Sequence, residues 1–281
     1  MIVDCRVRPA YKSYLKTKVP FNIDGAAELA AHLHLELPPC LVSGRPDYGA
    51  MIAEMDAAGI THAVMWGRKS PNWGDVPNTE IAEVVRKGNG RFKGVGAVDV
   101  RPTTKLREQV RECLDLGLVG IAIEPGQLNP PEACSGAILY PLFAACQDNG
   151  LILHLTSNIY SAPSACWTDP AHIDQVAADF PDLRIVVGHA SHPHAAEICG
   201  VAYYRKNVYL CPGVYLPHAI FNTVYVEAAN LYLGDRLLFG STYPVASFSS
   251  VVNGYKNAPF APDVLPRVMY GNAMKLYGFT A

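Results

Sequence analysis

The run Leu139-Tyr140-Pro141-Leu142-Phe143-Ala144-Ala145-Cys146-Gln147-Asp148-Asn149-Gly150-Leu151-Ile152-Leu153-His154 holds one full period of the fold. Residues 139–149 carry helical spacing, and Gly150 stops them because glycine enters the left-handed conformation of a helix end without a Cβ penalty. Leu151 to His154 is then a short apolar strand. The same unit recurs in both directions. Upstream, helical runs near 47–58, 78–87 and 104–116 lead to strands at Thr61–Trp66, Phe92–Asp99 and Val119–Glu124. Downstream, the run near 169–180 leads to Arg184–His189, and Asn207–Cys211 and Arg236–Gly240 follow in turn. With Val3–Arg8 this makes eight strands. They are short and rich in Val, Ile and Leu, as parallel strands covered on both faces should be. Eight strand–helix units predict an α/β chain folded as a single (β/α)8 TIM barrel over residues 1–281, with closing helices around Phe248 and Val264–Tyr277. A doubly wound open sheet is the alternative, but no glycine-rich turn follows the first strand to support it.

A long insertion separates the first strand from this alternation, roughly residues 9 to 45, punctuated by Pro9, Pro20, Pro38 and Pro39. Its middle, Asp24–Leu37, has helical spacing with Asp24 as a candidate N-cap. His32 and His34 in that run are two residues apart and do not share a helix face, which argues against a metal pair.

Half of the residues are hydrophobic and 17% are charged, a globular composition. The formal net charge of −2 gives no bulk attraction to nucleic acid or to acidic membranes, so any anion must be met by a local cluster. No apolar run approaches a membrane span, and the opening residues read as a strand rather than a signal segment, which points to the cytoplasm. The eight cysteines are scattered with no Cys-x-x-Cys pair, and reduced, mostly buried thiols are expected. A homo-oligomer is left open.

In such barrels function sits at the C-terminal ends of the strands. Those ends carry Arg8, Arg68 with Lys69, Asp99 with Arg101, Glu124, His154, His189, Cys211, and Ser241 with Thr242. Alternation along Met1-Ile2-Val3-Asp4-Cys5-Arg6-Val7-Arg8 places Asp4, Arg6 and Arg8 on one face and Cys5 and Val7 on the other. Buried guanidiniums are costly unless something anionic meets them. Asp4 and other carboxylates could do so as a structural ion-pair cluster, but cations and imidazoles gathered at several strand ends favour a small anionic, carboxylate-bearing ligand.

The ordered set resembles the amidohydrolase superfamily, in the branch of the aminocarboxymuconate-semialdehyde decarboxylase-like enzymes. The likeness rests on Asp4-Cys5-Arg6-Val7-Arg8 where the family writes Asp-x-His-x-His, and on Met55-Asp56-Ala57-Ala58-Gly59-Ile60 before the second strand. It continues with His154, Gly188-His189, Phe239-Gly240-Ser241-Thr242-Tyr243-Pro244, and Tyr270-Gly271-Asn272-Ala273-Met274-Lys275-Leu276-Tyr277-Gly278. Family members typically hold one divalent metal through both first-strand histidines, the strand-five histidine and a strand-eight aspartate. Here those positions are Arg6, Arg8, His154 and Thr242, which implies no metal and no other cofactor. The resemblance makes His189 the acid or base, with His154 and Glu124 as further catalytic candidates. Arg6, Arg8, Arg68 and Arg101 become carboxylate contacts, with Thr242 at the lost ligand position. Tyr160 and Trp167, with Trp73 and Tyr215, would pack a planar part of the substrate. Metal-free members of the superfamily act on carboxylated lactones. The expectation is therefore a metal-independent hydrolase of a small carboxylated lactone or ester. A lyase or decarboxylase, an isomerase, and a non-catalytic binding barrel are the alternatives.

Overall fold

The computed structural model describes residues 1–18, 21, 23–219 and 222–280, without the side chains of 23, 25, 26, 29 and 32. The proline at 20 and the side chain of the histidine at 32 lie outside the described residues. Seven parallel strands follow one another in chain order around the sheet: β1 (Val3–Val7), β2 (His62–Trp66), β3 (Phe92–Ala97), β4 (Gly120–Ile123), β5 (Ile152–Asn158), β6 (Ile185–His192) and β7 (Val208–Cys211). Helices flank them, and the architecture is that of a (β/α)8 TIM barrel. Among the described residues no helix is long and apolar enough to cross a membrane.

The expected eighth strand is a seam of single links. Leu210 N–H donates to Arg236 O at 3.0 Å, and Leu238 N–H returns to Leu210 O at 2.8 Å. On the other side Cys5 N–H reaches Phe239 O at 2.9 Å and Arg8 N–H reaches Tyr243 O at 3.1 Å. The ladder is broken for a local reason. Asp4 inserts its carboxylate between the two edges, where Oδ1 accepts Arg6 N–H at 3.0 Å and Ser241 N–H at 2.9 Å. Thr242 then turns into the left-handed region at φ 61°, and extended pairing cannot pass through it.

The same insertion corrects the predicted alternation of β1. The register slips between Asp4 and Val7. Val3 and Cys5 belong to the barrel interior with Val64, Trp66, Val95, Ile152, Val186 and Cys211, while Val7 packs with the surrounding core. Asp4 is spent on backbone amides and does not share a face with the arginines.

In the insertion the helix is Ile23–Leu33, so Asp24 stands inside its first turn and not before it. It ends earlier than expected because His34 is left-handed, φ 51°, and Leu35 N–H closes back on Ala30 O. Asp47 caps the next long helix, Tyr48–Ala57, by accepting Ala50 N–H at 2.8 Å. At the far end of the chain the helix Asn272–Tyr277 seals the floor of the barrel, placing Ala273, Leu276 and Tyr277, followed by Phe279, against the interior cluster. Each such apolar side chain withdrawn from water contributes roughly 1.5–3 kcal/mol.

Candidate active site

Strand β5 runs to Asn158, four residues beyond its expected end, and this decides which side chains reach the mouth. A cavity of about 240 Å³ opens there. Arg6 reaches it from β1 and Arg8 from just past it, Thr156 and Asn158 from β5, and His189 from β6. Arg68 and Glu124 come from just past β2 and β4, and Thr242 from the seam. Tyr160, Trp73, Tyr215, Leu33, Val214 and Val245 supply aromatic and apolar walls, with Glu28 at the rim.

Glu124 holds two of the three arginines. Its Oε1 accepts from Arg8 Nη2 at 2.5 Å and from Arg68 Nη2 at 3.2 Å, and its Oε2 from Arg68 Nε at 3.0 Å. Burial alone would raise this carboxyl, but Arg68 and Arg8 outweigh it and hold it below the usual range. The group is a fixed anion. Arg68 also lies over the Trp73 ring at 5.0 Å.

Arg6 is held differently. Its Nη2 donates to Thr156 Oγ1 at 3.3 Å, and the guanidinium lies over Trp66 at 4.4 Å. Its Nε and Nη1 are buried without partners, as are Nδ1 of His189 and Oγ1 of Thr242. Burial, followed by Arg8, pushes Arg6 down to about 9. Space for these groups comes from missing side chains: a Cβ at Gly188 would overlap Arg6 Nη1, and one at Gly213 would overlap Thr242 Oγ1. Even counting Glu28, guanidiniums outnumber carboxylates around the cavity. Unpaired buried donors beside a positive excess favour an anion over a cation at this place.

His189 packs edge-on against Tyr215, ring centroids 5.1 Å apart, and His192 stacks on the same ring at 4.3 Å. Burial first, then Arg6, Arg8 and His192, hold the His189 imidazole well below its ordinary range, so it is neutral at pH 7.

Three expected residues stand elsewhere. His154 points into the closed interior, because β5 continues past it. Its Nδ1 meets Ile152 O at 3.1 Å, and a carbonyl can only accept, so Nε2 is the acceptor for Tyr277 Oη at 2.9 Å. Burial lowers it to about 3, and it stays neutral. Arg101 turns outward to Pro130 O and Glu132. Trp167 lies in the short turn Ala165–Thr168, away from the cavity lining. Conversely, Thr156, Asn158 and Ser161 line the cavity and are not among the expected site residues, although the polar Thr-Ser-Asn run after Leu155 is a signal for the first two.

The four positions that hold a metal in related barrels do not fit one here. Two are guanidiniums, one is a hydroxyl, and the histidine is tied to Tyr277. Among the described residues no group of three His, Cys, Asp or Glu side chains could hold a metal ion.

A family model described as amidohydrolase matches residues 30–279. An uncharacterised TIM-barrel protein from Bordetella bronchiseptica is 33% identical, with TM-score 0.94 over 99% of this chain and 98% of that one. The 2,6-dihydroxybenzoate decarboxylase from Rhizobium is 17% identical, with TM-score 0.71 over 99% and 98%. A protein provisionally assigned as a 2-pyrone-4,6-dicarboxylic acid hydrolase from Pseudomonas putida is 16% identical, with TM-score 0.67 over 100% and 98%. No curated protein matches the chain.

Proposed function

The chain belongs to the amidohydrolase family, and from that premise we propose that it is a metal-independent hydrolase of a small carboxylated lactone or ester. The observation that carries this reading is that Arg6, with buried unpartnered donors, and a neutral His189 line one small cavity.

The substrate carboxylate binds the Arg6 guanidinium, which is short of partners, through charge-assisted hydrogen bonds. That new negative charge offsets the guanidinium beside His189 and returns basicity to its imidazole. The His189 imidazole then accepts a proton from water as the water oxygen attacks the ester carbonyl. Arg8, together with the Thr242 hydroxyl, faces the oxygen on which charge develops. The carbon–oxygen bond to the leaving alcohol breaks, and the imidazolium returns its proton to that alkoxide. Glu124 moves no proton in this scheme, since it is the anion that keeps Arg8 and Arg68 in place. His154 acts on the barrel interior alone.

A binding barrel without chemistry is the second reading, and one observation favours it. A second inward imidazole would serve chemistry, but His154 is tied to Tyr277 and leaves His189 alone at the cavity.

His189→Asn and Arg6→Met separate the two when screened against carboxylated lactones and esters by proton release. In His189→Asn, turnover should fall about 100-fold or more with affinity held within a few-fold. In Arg6→Met, affinity should fall by about 2–5 kcal/mol. No wild-type hydrolysis across the panel, with tight binding of the same compounds, would leave the binding barrel standing.

A further inference from the structure

Strands β5 and β6 pair in register as far as Thr156 and Gly188, and pairing resumes at Asn158 and His192. One residue of β5, Ser157, therefore faces three of β6: His189, Ala190 and Ser191. All three are left-handed, with φ of 68°, 46° and 52°. That region crowds Cβ against the carbonyl oxygen, and glycine alone enters it freely. None of the three is glycine. Such an excursion persists only where its surroundings over-determine it. Its effect is to turn the His189 ring out of the ladder and into the cavity against Tyr215.

The last residue of the excursion is held from nearby. Ser191 Oγ meets Ser157 Oγ at 3.1 Å, and His194 N–H donates to Ser191 O at 2.9 Å. The middle residue is held from another element. Tyr225, on the helix Asn222–Ala228, donates its hydroxyl to Ala190 O at 3.0 Å. Tyr225 is fully buried and does not line the cavity. Its hydroxyl thus reaches the middle peptide of the excursion from a separate helix.

We propose that Tyr225 is a positioning residue, clamping the left-handed excursion of β6 that presents His189 to the cavity. The proposal rests on His189 being the proton-transferring group, but its clamp can be read without any turnover.

The test is Tyr225→Phe, which keeps the packed ring and removes one hydrogen bond. In histidine-labelled protein the Cε1–H resonance of His189, assigned through His189→Asn, reports the ring current of Tyr215. It should move toward the free-histidine position in Tyr225→Phe. Benzoate affinity should change less than twofold, because Arg6 is seated on Thr156 and Trp66. Ala190→Gly in the same chain should return the resonance, since glycine holds φ 46° without a clamp. On any ester that the wild type hydrolyses, turnover should fall about 10-fold in Tyr225→Phe with KM unchanged, and recover in the double variant. An unmoved resonance in Tyr225→Phe overturns the proposal, as does a moved one that Ala190→Gly fails to restore. Should Tyr225→Phe not fold, the double variant decides: a folded protein with the wild-type resonance supports the clamp, and an unfolded one overturns it. Absence of hydrolysis in the wild type would sink the proposed reaction while leaving the resonance arm intact.

Discussion

Asp4 carries a carboxyl group in a place that water does not reach. Burial raises it to about 6, against the opposing hydrogen bonds from Ser241 and Arg6, and its Oδ2 has no partner. An unfolded aspartate titrates near 3.9, so between about pH 4 and pH 6 the folded chain binds the extra proton. Stability from this group is therefore present at low pH and is lost as pH rises through 6, by about 3 kcal/mol in all. Asp4→Asn keeps an acceptor for both amides and cannot ionise. Relative to wild type, the variant should gain denaturant resistance steadily from pH 4 to pH 6 and hold it above. A difference that stays flat across that window would mean that the carboxylate is solvated. His154 shows the converse. Its imidazole is lowered to about 3, so its contribution is full above the unfolded value near 6.5 and falls away in acid.

At the level of elements, most of what the sequence makes legible is periodicity. Helix–glycine–strand units locate seven strands within a few residues, and strand ends point to Arg6, Arg8, Arg68, Glu124 and His189. What escapes is length and parity. The polar run Thr156-Ser157-Asn158 reads as a loop although β5 continues through it, so the expected strand end puts His154 at the mouth when it lies below it. Parity along β1 fails because a side chain from the strand itself, Asp4, fills a gap that only the eighth segment creates. Register slips are tertiary events and leave no periodic trace. Gly188 is an instance of a residue whose role is an absence. Gly188→Ala brings a Cβ onto Arg6 Nη1, and the guanidinium must leave its seat. We expect a folded protein whose calorimetric affinity for benzoate is at least about 10-fold weaker, the loss of one good charge-assisted contact. Unchanged affinity would move the anion site away from Arg6.

For the whole molecule, charge is distributed against its own average. A chain of net charge −2 keeps a cationic excess in one cavity, lined by three buried guanidiniums. A divalent cation at that place would meet repulsion before it met a ligand. Elemental analysis after dialysis should find far less than one zinc, manganese or iron per chain. Chelators should leave melting temperature and any hydrolysis intact. Stoichiometric metal that tracks activity would refute the arginine reading.

The bond between Tyr277 and His154 also has a meaning in time. Ribosomes make the barrel walls, residues 3 to 238, before they make the piece that fills its floor. A nascent chain halted before Ala273 has every strand and a hole beneath them, with the Nε2 of His154 facing into that hole. Domains fold as units during synthesis, and the interior of this one stays open until the helix Asn272–Tyr277 has cleared the exit tunnel. Tyr277 thus joins the barrel interior only after every strand has been made.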